Sequence, residues 1–345
     1  MALNVGVLGV GNIARIHLTV LTSLPTTRVA GVYDVNAERA REVATEYGIE
    51  RVYDSWQALL ADPEVQAVAI LLPHDLHARY AIEAANAGKH VICEKPLAPT
   101  VAECREMLTA ADRNGVKLFP VHNRVYDFAA EKMRDLLQSG AIGDVYLAQT
   151  NGFEGPNTVG VRPWLATKAG GGGVLMAQAV HPAYLIRWLL GDIAQVSCQF
   201  GLRRRVEMTG EDTAISTLRF ASGALAEMTA TFGIAHGPYE HSVMLHGSGG
   251  YLELTSNRAT RERPLSLRAI SPKLYGDNEL HEVELQPTPD GWGRGFRRLW
   301  EDYAAALTEG TPTRVTGEDG LRAVEIIEAS YRSAASGQTI ALPLS

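Results

Sequence analysis

The first apolar run, Val5 to Leu8, breaks at Gly9 and passes at once into a helical pattern that reaches Leu18. A second run, Val29 to Tyr33, is followed by a helical period from Ala37 to Tyr47 and a short one from Ser55 to Ala61. The alternation continues with strand Ala67 to Leu71, a helix from near Asp75 to Gly88 and strand His90 to Cys93. Thr100 and Glu103 then form a capping box that opens a helix to Asn114, and Lys117 to Val121 is a last strand. Strands alternating with helices predict a parallel, doubly wound α/β sheet over residues 1–122, which binds ligands just past the carboxyl ends of its strands. Beyond residue 144 the period changes to two, in Thr213 to Phe220, Ala224 to Thr231, Ser242 to His246 and Tyr251 to Leu254. Ala221-Ser222-Gly223 and Gly247-Ser248-Gly249-Gly250 read as hairpin connections. Residues 123–345 are therefore expected to form an α+β domain with a large, mostly antiparallel open sheet. Two late helices, Trp300 to Leu307 and Leu321 to Ser333, have apolar faces that suit either domain.

Composition narrows the function. The 345 residues are 46% hydrophobic and 21% charged, enough for two full cores. A net charge of −7, from 32 basic and 39 acidic residues, argues against nucleic acid as the main partner. No apolar run approaches the ~18 residues of a membrane span, and Met1 leads straight into the first strand, so a cytoplasmic protein without a membrane anchor is expected. Cys93, Cys104 and Cys198 are far apart and lack C-x-x-C spacing, which reads as buried thiols. His236 and His241 flank Gly237-Pro238 with no ligand-type partner, and no metal is expected.

The turn after the first strand, Gly9-Val10-Gly11-Asn12-Ile13-Ala14, is a G-x-G-x-x-A fingerprint. Gly9 permits the tight turn, Gly11 lets backbone approach a pyrophosphate, Asn12 and Ile13 lead into the helix, and Ala14 keeps that helix close to the strand. The helix N-terminus then faces the phosphates with its N–H groups. Asp34 ends the second strand twenty positions after Ala14, where an acid binds both ribose hydroxyls of an adenosine. The same acid repels a 2′-phosphate, and Val35 and Asn36 offer no arginine to neutralise it, so NAD is expected and NADP is the lesser option.

The most specific signal is Ala87-Gly88-Lys89-His90-Val91-Ile92-Cys93-Glu94-Lys95-Pro96, a strand that delivers a carboxylate, an ammonium and a proline to the sheet's carboxyl edge. With the fingerprint it resembles the Gfo/Idh/MocA family of oxidoreductases, whose hallmark is A-G-K-H-V-x-x-E-K-P. Pro73-His74-Asp75-Leu76-His77 is similar to the family's T-P-N-x-x-H, with His74 in place of Asn. Gly171-Gly172-Gly173-Val174-Leu175 and His181 resemble G-G-G-x-L-x-D-x-G-x-H, and Glu318 to Ala323 resembles the closing helix.

The resemblance implies a Rossmann cofactor domain, a substrate domain, and hydride exchange between a nicotinamide and a hydroxyl-bearing carbon of a sugar, cyclitol or nucleotide-sugar. It implies cofactor contacts at Pro73, His74, His77, Glu94 and Lys95, with Lys95 the acid/base. Substrate contacts fall to Lys95, Asn123, Arg124, Trp164, Lys168, Gln178, His181 and Tyr184. To act as a base near neutral pH, Lys95 has to lose a proton that an exposed lysine keeps to ~10.4; burial beneath an oxidised nicotinamide works in that direction. Glu94 is expected to point at the cofactor, and a cis bond before Pro96 would aim Lys95. Where relatives carry D-x-G-x-H this chain has Ala177 and Ala179, Tyr184 replaces an acid, and Val125 replaces the second arginine after Asn123. His181 thus lacks a carboxylate partner and is expected only to position the substrate hydroxyl. A non-catalytic sugar or nucleotide sensor on this fold, or a reductase of an imine or conjugated substrate, are the alternatives. Arg203-Arg204-Arg205 reads as a solvated face or an anion site. The open sheet face is expected to be covered by another subunit, giving a homodimer or homotetramer.

Overall fold

The structure is a computed structural model that describes residues 2–155, 163–202, 204, 207–235, 240–257, 265–285 and 294–344. The Arg203, Arg205 and His236 readings lie outside the described residues. Two compact units divide the chain: Met1–Asn123 with Gly295–Leu321, and Arg124–Arg294 with Arg322–Ser345. Residues 295–321, which were expected to belong to the second domain, thus lie in the first unit, between the two segments of the second.

In that unit β1 (Leu3–Leu8), β2 (Thr27–Tyr33), β3 (Ala67–Ile70), β4 (His90–Cys93) and β5 (Leu118–Pro120) form an all-parallel sheet in the order β2-β1-β3-β4-β5. Every residue of β3 is buried, as expected for parallel strands covered on both faces. Helices α1 (Ala14–Ser23), α2 (Ala37–Tyr47), α3 (Trp56–Ala61), α4 (His77–Asn86) and α5 (Val101–Arg113) connect the strands. Local chemistry sets their ends: Asn36 accepts the Arg39 N–H to open α2, and Gly48 closes it at φ +64°. Thr100 accepts the Glu103 N–H at 3.2 Å and donates to its carboxylate at 2.7 Å. The strand order reverses between β1 and β3, so the crevice for a ligand opens past their carboxyl ends. The returning segment packs beneath this sheet's β5 end. Tyr303 stacks on Phe119 and donates to the Pro120 carbonyl at 2.6 Å.

The second unit carries β6 (Val145–Phe153), β7 (Ile193–Gly201), β8 (Thr213–Phe220), β9 (Leu225–Thr231), β10 (Glu240–Gly247), β11 (Gly250–Asn257), β12 (Leu265–Ile270), β13 (His281–Glu282) and β14 (Ile340–Ala341). They form one sheet in the order β13-β12-β11-β10-β6-β9-β8-β7-β14, antiparallel except at β6/β9. Both glycine turns expected as hairpins join antiparallel neighbours, β8 to β9 and β10 to β11. Helices α6 (Phe128–Gln138) and α7 (Val180–Leu190) cover one face; α8 (Pro272–Tyr275) is a single turn. Helix α9 (Arg294–Glu309) belongs almost wholly to the first unit, and α10 (Gly317–Ser336) crosses from one unit to the other at Leu321. Its later turns pack on the covered sheet face through Ser330, 3.2 Å from the buried Ser216 hydroxyl, and Ser333, which accepts the Cys198 N–H. Alternation then turns Ile215 and Leu225 outward, 49% and 46% exposed.

Candidate active site

The dinucleotide half is built by the first strand's abrupt end. At Gly9, φ is +89° and an added Cβ would lie 2.6 Å from the Leu71 carbonyl oxygen, so the close approach of β1 to β3 requires glycine. At Gly11 a Cβ would meet nothing within 4 Å, which leaves open ground before α1. That helix opens at Ile13, whose side chain has no atom to cap it. Asp34 accepts the Val10 N–H at 2.8 Å and the Asn36 N–H at 2.9 Å, which fixes its carboxylate beside the glycine turn. An open glycine, an uncapped helix start and a fixed acid fit NAD. Pyrophosphate would lie against Gly11 to Ile13, and a ribose against Asp34.

Further along the same strand edge the arrangement departs from expectation in two places. His77 is fully buried, with Nδ1 2.8 Å from the Pro96 carbonyl and Nε2 2.9 Å from that of Leu72. Burial pushes its pKa down despite these two oxygens. Both nitrogens face main-chain carbonyls, and the single N–H of the neutral ring ties His77 to the segments around Leu72 and Pro96. Glu94, expected to point at the cofactor, is 7% exposed and engaged within its own unit. Its Oε1 lies 3.0 Å from His17 Nε2, and its Oε2 accepts the Lys95 N–H at 3.1 Å. The Trp300 indole N–H can only donate and lies 3.1 Å from His17 Nδ1, so the imidazole proton sits on Nε2 and points at Glu94. Burial alone would raise the Glu94 pKa; the His17 hydrogen bond and the Lys95 charge outweigh it, and the group sits below its ordinary 4.5. Neither His17 nor Trp300 stood out in sequence. Lys95 is half-buried and its bond to Pro96 is cis. Pro73 and the 4%-exposed His74 begin the turn after β3. Asn123 opens a 3₁₀ turn just past β5.

The second unit gathers a polar cluster of its own. Here the expected helix from Met176 is a π turn, Leu175–Ala179, that runs into α7. His181 Nδ1 lies 2.9 Å from the Tyr184 hydroxyl, which accepts the Arg124 N–H at 3.3 Å. One proton is shared between the Tyr184 hydroxyl and His181 Nδ1, which ties the imidazole to the phenol. Burial lowers the Arg124 pKa, while Tyr184, Asp127 and Glu154 oppose that shift. Gln178 donates to Glu154 Oε1 at 2.5 Å, and His241 Nε2 lies 3.1 Å from the same oxygen. Glu154 was not singled out in sequence, and His241 was read as a turn residue; it lies on β10, buried. Glu154 is the first residue past β6, in a sheet to which the strand-end rule of parallel α/β folds does not extend, so no local signal marks it. Trp164 is half-buried in a 3₁₀ turn, and Lys168 is exposed, its N–H on the Thr209 hydroxyl. Among the described residues no group of three or more metal-ligating side chains occurs.

A parallel sheet with a dinucleotide cradle at its switch point, followed by a mixed sheet bearing a cluster of hydrogen-bonding side chains, defines a two-domain nucleotide-dependent enzyme. Residues 3–122 match the oxidoreductase family with the NAD-binding Rossmann fold, and residues 134–342 match that family's C-terminal alpha/beta domain. The chain belongs to the Gfo/Idh/MocA oxidoreductase family and is an NAD-binding oxidoreductase. It is 30% identical to 1,5-anhydro-D-fructose reductase of Ensifer adhaerens, over 96% of each chain. It is 26% identical to myo-inositol 2-dehydrogenase of Thermotoga maritima, over 99% of this chain and 98% of that one. Levoglucosan dehydrogenase in complex with NADH superposes with a TM-score of 0.90 at 25% identity, over 99% of this chain and 100% of the other.

Proposed function

We propose that this enzyme is an NAD-dependent dehydrogenase of a sugar, cyclitol or sugar derivative, moving a hydride between nicotinamide and a hydroxyl-bearing carbon. The observation that carries the reading is the run Ala87 to Pro96, with Glu94 and Lys95 just past β4, in a chain that matches the family in both halves. Relatives named for myo-inositol, 1,5-anhydro-D-fructose and levoglucosan supply the substrate class. Residues 1–122 hold the cofactor through Gly9, Gly11, Asn12, Ile13 and Asp34, with Pro73, His74 and Lys95 at its nicotinamide end and Glu94 behind Lys95, bonded to its N–H. Residues 123–345 hold the substrate through Asn123, Arg124, Trp164, Lys168, Gln178, His181 and Tyr184, and form the subunit contact.

Bound NAD supplies the hydride acceptor. Lys95 takes the hydroxyl proton as the carbon is oxidised and returns it in the reverse direction. His181, held by the Tyr184 hydroxyl, positions the substrate oxygen. Following NADH absorbance across free sugars, inositols and nucleotide-sugars tests the activity; no turnover with any of them overturns the dehydrogenase reading. Lys95→Ala is expected to lower kcat on the order of 10²–10⁴-fold, the loss typical of an acid/base group, and His181→Asn far less. The reverse ranking would exchange the two roles. The three cysteines are buried thiols, which suits the reducing cytoplasm. The outward Ile215, Leu225 and Leu147 lie on one sheet face and favour a homodimer or homotetramer built through it.

A further inference from the structure

Three separate elements converge on one buried oxygen in the second unit. Strand β6 ends at Phe153, and the Glu154 N–H still donates to the Thr231 carbonyl at 2.9 Å, so the β6/β9 pairing fixes where its side chain departs. Gln178 comes from the π turn, and His241 from β10, where it pairs with Gly152 on the other side of β6. Glu154, Gln178 and His241 are 8%, 6% and 5% exposed. Gln178 Nε2 and His241 Nε2 lie 3.4 Å apart; both donate to Glu154 Oε1, and the contact between them is that of two donors sharing one acceptor.

Such an arrangement is a poor way to gain stability. A buried carboxylate held by an amide and an imidazole carries a desolvation cost that apolar residues of the same size avoid, and sets of this kind collect where chemistry or recognition needs them. The π turn points the same way, because the extra residue of an i→i+5 turn re-aims side chains and recurs at functional sites. Here it hands Gln178 to Glu154 and, one turn on, His181 to Tyr184.

We propose that Glu154 is a substrate-binding carboxylate, aimed by Gln178 and His241, and that it selects a neutral, hydroxyl-rich ligand over an anionic one. The proposal rests on the reading of this cluster as the substrate half of a sugar or cyclitol dehydrogenase. At neutral pH an ionised carboxylate only accepts hydrogen bonds, so its natural partner is a hydroxyl. A sugar acid or a nucleotide-sugar would bring a second negative charge towards Glu154, and like charges brought together out of water strongly disfavour the wrong ligand.

The test compares myo-inositol, D-glucose, D-glucuronate and UDP-glucose in the full-length enzyme, reading kcat and KM from NADH absorbance and NADH affinity from fluorescence. The wild type is expected to favour a neutral compound over both anions by at least about a hundred-fold in kcat/KM. Glu154→Gln keeps the shape and removes the charge. It should raise KM for that neutral compound by roughly ten- to hundred-fold, narrow the preference over D-glucuronate at least about ten-fold, and leave NADH affinity unchanged. His241→Gln retains a donor in place of Nε2–H and should rescue most of the KM that His241→Leu loses, which a merely space-filling histidine would not do. Unchanged KM and preference in Glu154→Gln with native NADH affinity overturns the inference alone, as does a wild-type preference for either anion. Absence of turnover with every compound overturns the dehydrogenase reading, and the inference falls with it.

Discussion

Asp34 spends one oxygen on the Val10 N–H and the other on the Asn36 N–H, so its charge cannot swing away from a 2′-phosphate. The expected outcome is a preference for NAD in kcat/KM, reduced on the order of ten-fold in Asp34→Ala, the equivalent of about 1.4 kcal/mol of lost repulsion. An NADP preference in the wild type would contradict it. Glu94 gives a pH prediction. Its folded pKa lies below the ordinary 4.5, so it contributes stability above that value, and the contribution is lost as pH falls through the lowered pKa. Urea unfolding from neutral pH downwards should therefore show a steeper loss below 4.5 in the wild type than in Glu94→Gln. An identical slope would mean that His17 and the Lys95 N–H do not favour the ionised form. Gly9, Gly11 and Asp34 were legible in sequence because the fingerprint is local and its spacing is set by one turn and one strand. Glu154 and His241 stand 87 positions apart and meet only because β10 pairs with β6, a pairing that hydrophobic alternation does not encode.

Elements whose ends are set by their own residues were the most readable. Helix Ala37–Tyr47 and strand His90–Cys93 have the bounds that periodicity and capping suggest, since Asn36 and Gly48 close the one and turn glycine Gly88 precedes the other. The π turn was not readable, because one inserted residue barely disturbs an apolar period in a segment buried all round. Its start is held from outside: Glu211 accepts the Leu175 N–H and the Tyr331 hydroxyl, each at 2.9 Å, and burial raises its pKa. Gly173, at φ +104°, leaves the room for this, since a Cβ there would fall 2.4 Å from Glu211 Oε1. Gly173→Ala should cost ~1–3 kcal/mol in urea unfolding through backbone strain and also depress kcat by shifting Gln178 and His181. Full activity in this variant would show that Glu211 does not govern the turn.

At the scale of the molecule, one face of the nine-stranded sheet is covered by α6, α7 and the later part of α10, and the other presents Ile215, Leu225 and Leu147. Sedimentation at micromolar concentration should give a dimer or tetramer, and Ile215→Asp should shift it towards monomer; a monomeric wild type would leave that face unexplained. The chain passes between its two units three times, at 123/124, 294/295 and 321/322. Sequence periodicity found the late helices Trp300 to Leu307 and Leu321 to Ser333 but gave no sign of which unit each serves. The return has a consequence in time. Trp300 and Tyr303, which set the His17 tautomer and hold the Pro120 carbonyl, leave the ribosome after every strand of the second unit except β14. The cofactor half, first to be translated, is thus among the last parts to be completed. NAD affinity in a nascent chain should report that synthesis is nearly finished, not that the first half has folded.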